Sequence, residues 1–531
     1  MEKSATWHRR LGLSLRLAGY VNEAIEELQT SFKLDDAESF TYFGLAWCSE
    51  IRRDFNGAIN WMQHGLDRLE EGNNSLRSAQ LIALSKWNLE LLKVDVAIKY
   101  AEEARMLDPQ NMLPAYAQLK ALNALEMPLR ATRIFKYLEL LRTLPTEHAG
   151  LSMLTRLFAY GWPTQMIVVG AAKTAEHYRL LLEAYNTAEA ECEVIKDHLQ
   201  AASQRYMGGE LLNEQMEKQE EAMILFEELL AREVNTQYES SSTEDKWNYI
   251  KSSCSFDLSF IYFNFAVAAK RSNKDATTFI AKLENLAKKS YGSSDVFGTG
   301  TASAALGALY RMEGRDKEAD QTLRERILKS IAILEDSDPN NDLLGYYGLA
   351  QTLLIAGRRD DAAAAAAPML ISLERAKARY EKRQARIAGV ASLPLSDDAT
   401  KHPTAEYSSL SLDQAKSQEQ DETDAETDEM MAQMMDMWET SSASCNGCKR
   451  VGVEYEEMYC CESCMDTSLC EVCYPKMKAG ELELEICSLK HSFMRMYPIP
   501  VEARGVATHV VNGKILPRKE WLDKLRRDWE A

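Results

Sequence analysis

Seven cysteines and one histidine, Cys445, Cys448, Cys461, Cys464, Cys470, Cys473, Cys487 and His491, follow the spacing C-x2-C-x12-C-x2-C-x5-C-x2-C-x13-C-x3-H. Zinc takes four nitrogen or sulfur donors in a tetrahedron, and a C-x2-C turn brings two sulfurs to one ion. Three such pairs plus Cys487 and His491 supply eight donors, enough for two zinc ions. A catalytic zinc keeps one position open for water, whereas four protein ligands per ion leave none, so both sites read as structural. Cys460 is a ninth candidate, because either it or Cys461 makes an acceptable turn with Cys464.

Disulfides would require an oxidising compartment. No N-terminal secretory signal is evident, and the remaining cysteines, Cys48, Cys192 and Cys254, are scattered singly, as in a reducing compartment. The expectation is an intracellular protein of the cytoplasm, with the nucleus as the alternative. The net charge of -19, from 81 acidic and 62 basic side chains, opposes binding to a phosphate backbone, which depends on Lys and Arg displacing counterions. No nucleic-acid partner is expected. The apolar run Met166 to Ala172 is far short of the roughly 20 residues that cross a bilayer, and no membrane association is expected.

The elements that hold these residues begin with a long helical region. To about residue 384, apolar residues recur at i, i+3, i+4 and i+7, broken by Gly72-Asn73-Asn74 and Asp338-Pro339-Asn340-Asn341. Ala24, Ala58, Ala97 and Ala131 are spaced by 34, 39 and 34 residues. Two antiparallel helices and their turns occupy about 34 residues, and a small residue is needed where they touch most closely. Leu11-Gly12 and Gly19 precede Ala24; Leu306-Gly307, Tyr310 and Gly314 precede Ala319; Leu349-Ala350, Leu353 and Gly357 precede Ala362; Pro109 closes the third unit. These positions resemble the tetratricopeptide repeat (TPR) family, with a further second helix around Ala222, Phe226 and Leu229. The resemblance implies a solenoid whose groove binds a protein or peptide. The carboxylate clamp that some members carry is not matched by Arg9, Arg10 and Arg16, and that function is not carried over.

Tyr459-Cys460-Cys461-Glu462-Ser463-Cys464, Leu469-Cys470-Glu471-Val472-Cys473-Tyr474 and Cys487-Ser488-Leu489-Lys490-His491-Ser492-Phe493 resemble a ZZ-type zinc finger. The resemblance implies a cross-brace, with one ion on Cys445, Cys448, Cys470 and Cys473 and the other on Cys461, Cys464, Cys487 and His491. Interleaving lets metal binding supply the folding energy of a module too small for its own core. Two departures are visible. Cys487 and His491 stand where the family has two histidines, and Asp466-Thr467-Ser468-Leu469 retains one of two acidic positions. In ZZ domains that bind a peptide's free N-terminus those carboxylates receive the ammonium; Asp466, Glu454, Glu456 and Glu457 are the candidates here, and a solvated acidic face is the favoured reading. A RING finger needs a histidine among the central ligands, and a MYND finger a C-x3-C third pair; neither is present.

Between the two regions the composition turns polar. Asp413 to Glu439 holds ten carboxylates against one lysine and ends in the Met-rich run Met430 to Trp438, read as a segment that packs on the neighbouring domain. After the finger, Ala507 to Leu516 reads as a hairpin turning at Asn512-Gly513, and Pro517 as the opening of a helix with Trp521, Leu525 and Trp529 on one face. The whole arrangement resembles fungal TPR proteins, including the sensor halves of STAND-type NTPases.

The fold class is mainly α: a TPR-like solenoid, then a small zinc-binding module, a β-hairpin and a helix. The expected segments are 1–144 (repeats), 145–299 (helical, degenerate repeats), 300–385 (repeats), 386–440 (acidic linker), 441–500 (finger) and 501–531 (hairpin and helix). Gly170-Ala171-Ala172-Lys173-Thr174 lacks the glycine before lysine that a phosphate loop needs, and no H-E-x-x-H or G-x-S-x-G occurs. His64, His177 and His198 sit in helical patterns as structural histidines. The chain reads as a non-catalytic adaptor with a protein or peptide in the groove and a finger that binds a second protein or packs on the solenoid. The alternatives are a ubiquitin-ligase-type enzyme using the finger, or a regulatory fragment partnering a separate STAND-type NTPase.

Overall fold

The computed structural model describes residues 4–368 except 71, 145, 147–150, 160–161, 233–240, 290–297 and 337–341; residues 445–448; residues 458–495 except 466, 485–486 and 489; and residues 508–530 except 512–513. The linker expected at 386–440, Asp466, Glu454, Glu456, Glu457 and the Asn512-Gly513 turn lie outside the described residues. The described chain forms two compact units, one ending at Asp197 and the other beginning at His198.

In the first unit, helices pair as hairpins: α1 (Ala5–Leu17) with α2 (Val21–Leu34), α3 (Ser39–Ile51) with α4 (Phe55–Asp67), α5 (Asn74–Glu90) with α6 (Val94–Leu107), and α7 (Met112–Asn123) with α8 (Leu129–Thr143). Ala24, Ala58, Ala97 and Ala131 are all buried, each on the second helix of its pair. Close approach explains them. A Cβ added at Gly12 would stand 2.7 Å from Leu28 Cγ and 3.0 Å from the Ala24 carbonyl oxygen, so α1 and α2 touch through backbone. The unit continues through α9 (Met153–Ala159), α10 (Trp162–Ala171) and α11 (Ala175–Val194).

Several of the described connections between successive helices share one conformation. Gly19, Arg53, Leu92, Lys196, Glu217, Gly314 and Gly357 all have positive φ, from +54° at Glu217 to +86° at Gly19, and each stands two residues before the next helix. In most of them the following residue donates its N–H to a carbonyl five positions back, as Tyr20 does to Leu15, Asp54 to Ser49, Lys93 to Asn88 and Arg315 to Tyr310. This left-handed C-terminal cap satisfies carbonyls that the helix end would otherwise leave free, and turns the chain within three residues.

The second unit repeats the hairpin with α12 (His198–Glu210), α13 (Gln219–Ala231), α14 (Ser241–Arg271), α15 (Thr277–Ala287), α16 (Gly298–Met312), α17 (Asp316–Glu335), α18 (Asp342–Ile355) and a helix over 359–368. After α12 the helix widens into a π-helical turn, Leu211–Gln215. Ala222, Phe226 and Leu229 form the buried stripe of α13. The same unit contains the cysteine-rich segment, a three-stranded antiparallel sheet in the order β2 (Ser468–Cys470), β1 (Met458–Cys461), β3 (Phe493–Arg495), with a short helix Cys473–Lys478. A two-stranded sheet of β4 (Thr508–Val511) and β5 (Lys514–Pro517) precedes the C-terminal helix Arg518–Glu530. Pro517 is thus the last residue of β5, opposite Thr508, rather than the first of the helix.

That helix buries Trp521, Leu522 and Leu525, and Trp529 is half-buried. It packs on α17 and reaches the 359–368 helix. Arg518 grips the Asp342 carboxylate with two N–H groups, at 2.9 and 2.8 Å, a bidentate geometry that a lysine would not reproduce. No helix among the described residues is long and apolar enough to cross a membrane.

Candidate metal centre

Strand pairing decides which cysteines meet. Met458 of β1 stands opposite Cys470 of β2, while Cys461 at the other end of β1 stands opposite Phe493 of β3. One end of the small sheet therefore gathers Cys470, Cys473 at the start of the short helix, and Cys445 and Cys448 from the turn before; the other gathers Cys461, Cys464, Cys487 and His491. Within each quartet all four donor atoms lie within 4.8 Å of one another.

The spacing suits one tetrahedral ion per quartet. Zinc–sulfur bonds of about 2.3 Å at tetrahedral angles put sulfurs about 3.8 Å apart, and sulfur–nitrogen pairs slightly closer. Cys448 Sγ and Cys470 Sγ are 3.9 Å apart, and Cys461 and Cys487 3.5 Å. His491 turns Nδ1 to the second quartet, 3.2 Å from Cys464 Sγ, 3.5 Å from Cys487 Sγ and 3.6 Å from Cys461 Sγ. Backbone N–H groups point at the sulfurs, from Ser463 and Cys464 to Cys461 Sγ and from Cys470 to Cys445 Sγ. They favour thiolate over thiol.

Crowding produces opposed shifts. Hydrogen bonds from Cys464 and then Cys487 hold Cys461 well below the ordinary thiol range; the same contact with Cys461 pushes Cys464 far up and Cys487 up to about 12. Burial, then contact with Cys445, Cys470 and Cys448, raises Cys473. Once one sulfur carries charge, its neighbours cannot ionise without a cation among them. Soft donors, closed fours and this mutual repulsion fit a thiophilic divalent ion.

Cys460 goes elsewhere. Alternation along β1 sends it to the opposite face from Cys461, into a small apolar cluster with Ala350, Leu354, Ala366 and Met494. The core of the cysteine-rich module, with Met458, Leu469 and Met477 buried, also receives Met312 of α16. Arg271 donates to the Leu484 carbonyl oxygen at 3.0 Å, and Arg359 pairs with Glu462 at 2.6 Å. The module is therefore packed on helices of its own unit.

Other singled-out residues are structural here. Gly170-Ala171-Ala172-Lys173-Thr174 joins α10 to α11, with Thr174 capping α11 by accepting from His177 N–H. His177 stacks on Phe135 with centroids 4.4 Å apart. Arg9 pairs with Glu38. Sequence reasoning missed a buried acid pair beside the π-helical turn. The Tyr206 hydroxyl is 2.8 Å from Glu210 Oε1 and 3.1 Å from Asp257 Oδ2. Burial, reinforced by Glu214, raises Asp257 to about 8, and Glu210 is raised by burial and then by Asp257. One hydroxyl hydrogen cannot serve two carboxylates, so one acid carries the second proton.

Hairpins of about 34 residues in the first unit, small residues at the helix contact and, in several pairs, a left-handed turn characterise the repeats. The fold is mainly α, a TPR-like array of helical hairpins. Matched against models of known protein families the sequence fits none, and no curated protein sequence matches it. Solved structures similar in arrangement include Naa15/Naa10 bound to HypK-THB (13% identity, 68% of this chain and 57% of that chain, TM-score 0.24). The chain thus spans little more than half of that one's length. Two others are the P58(IPK) TPR domain (14% identity, 73% and 99%, TM-score 0.21) and yeast Tom70 (12% identity, 73% and 94%, TM-score 0.21). Likeness at this level carries nothing about activity or partners.

Proposed function

We propose that this chain is a non-catalytic, zinc-binding adaptor whose TPR-type helices bind a protein or peptide. Two zinc ions have structural roles, one on Cys445, Cys448, Cys470 and Cys473, the other on Cys461, Cys464, Cys487 and His491, in a ZZ-like cross-brace. The observation that carries this reading is the closure of each quartet: four protein donors leave an ion no position for water or substrate. The finger holds the C-terminal part of the repeat array in place and offers its outer face to a second protein, in a reducing compartment such as the cytoplasm.

Cross-linking mass spectrometry on the protein purified from its native cells tests the adaptor role. Cross-links from lysines on the first four hairpins, such as Lys86 or Lys120, to a second polypeptide at fixed stoichiometry are expected. Recovery of the chain alone, or with turnover of a substrate that survives loss of both metals, contradicts it.

A further inference from the structure

The two cysteine quartets are not equally protected. Cys448 is exposed, whereas none of the other six cysteine donors is more than 6% exposed. The turn that carries Cys448 is fixed at one end. Asn446 is tied to β2, its N–H donating to the Ser468 carbonyl oxygen at 2.9 Å and its Oδ1 accepting from the Ser468 N–H at 2.7 Å. Gly447 passes so close to the first quartet that an added Cβ would stand 2.9 Å from Cys473 Sγ and 2.8 Å from Leu482 Cδ2. Cys445 is thereby held fully buried, and Cys448 stands at the outer end of the turn.

Oxidation of a cysteine follows its thiolate character and its access, and the sensitive ones sit beside a second cysteine that can resolve them. Cys448 meets all three conditions. As a zinc donor it is a thiolate; it is exposed; and Cys470 Sγ lies 3.9 Å away. N–H groups of Ser463 and Cys464 point at Cys461 Sγ and that of Cys470 at Cys445 Sγ, whereas among the described residues none points at Cys448 Sγ. Such a bond draws electron density from a thiolate, so Cys448 keeps the more nucleophilic sulfur.

We propose that Cys448 is an oxidation site, with Cys470 as its resolving partner, through which hydrogen peroxide opens the first quartet while the second stays closed. The proposal rests on the two-zinc reading above. The Cys448 thiolate attacks one oxygen of hydrogen peroxide; the S–O bond forms, the O–O bond breaks and hydroxide leaves, giving a sulfenic acid. The Cys470 thiolate then attacks the Cys448 sulfur, forming the disulfide as the S–O bond breaks and a second hydroxide leaves. Two electrons have passed from the two sulfurs to the peroxide. Cys445 and Cys473 remain as two thiolates where four donors had closed the site, too few to retain zinc. A thiol reductant supplied with zinc reverses the change.

The test treats the full chain with hydrogen peroxide, follows zinc release with a chromogenic chelator against an untreated control, and maps the first disulfide by alkylation and mass spectrometry. Two zinc ions are expected before peroxide, one released by it, and a Cys448–Cys470 disulfide formed in step with that release. Cys448→His keeps a zinc donor but removes the exposed sulfur, and should slow release on the order of tenfold. If that variant does not retain its zinc, the wild-type disulfide map decides. Fewer than two ions before peroxide overturns the two-zinc reading and the proposal with it. Two ions at the start that leave together, in the opposite order or not at all, or a first disulfide other than Cys448–Cys470, overturns the proposal alone.

Discussion

Trp521 and Asp361 stand 160 positions apart in sequence, and the indole Nε1–H of the first donates to the buried carboxylate of the second at 3.2 Å. The same carboxylate accepts from Lys524 Nζ at 2.9 and 3.1 Å and from Arg358 at 2.9 Å. His509 stacks on Trp521 at 4.3 Å and meets the Ala364 carbonyl oxygen at 3.0 Å. The C-terminal segment is therefore fastened to the 359–368 helix and packs on α17.

Trp521→Ala should destabilise the second unit by about 3–5 kcal/mol, the usual range for emptying a large aromatic site. Asp361→Asn should be milder in packing yet still costly, because it removes the charge that Lys524 and Arg358 share. Urea denaturation followed by tryptophan fluorescence measures both. Near-wild-type midpoints would mean that the segment is not seated on the repeats.

Cys460→Ser should leave metal content unchanged, whereas Cys461→Ser should lose the ion of the second quartet. Since Met312, Arg271 and Arg359 contact the cysteine-rich module, loss of metal should also increase proteolysis of the helices around 350–368. Elemental analysis and limited proteolysis of the two variants check this. Equal metal loss from both would contradict the assignment of Cys461.

Asp257 has its pKa raised by burial to about 8, so the folded state holds a proton that the unfolded chain releases near pH 4. Stability from this group is fully present below the unfolded value and falls as pH rises toward 8, by roughly 1 kcal/mol per pH unit. Asp257→Asn should flatten that slope. The urea midpoint from pH 5 to pH 9 reads it, and an unchanged slope in the variant would refute the shared-proton arrangement with Glu210 and Tyr206.

Gly307→Ala should destabilise by about 1–3 kcal/mol. The new methyl would stand 2.5 Å from Leu323 Cδ2, forcing α16 and α17 apart. Thermal denaturation of the full chain should show a lowered midpoint; no change would mean that the hairpin is looser than described.

Part of this was legible beforehand. Gly19, Gly314 and Gly357 announce their turns because glycine is the residue that adopts positive φ without strain. Lys196 and Glu217 adopt the same backbone with side chains that give no such signal, so 145–299 reads only as helical. The C-x2-C pairs were plain from spacing, since a metal turn is local. The choice between Cys460 and Cys461 was not, because it depends on which face of β1 meets the repeats.

The most direct test of the central claim is the zinc content of the full chain purified without added metal. Two zinc ions per chain are predicted, with one lost on Cys470→Ser and one on Cys461→Ser. A wild-type content of one or none, or no loss of zinc from either variant, would contradict the two closed quartets on which the account rests.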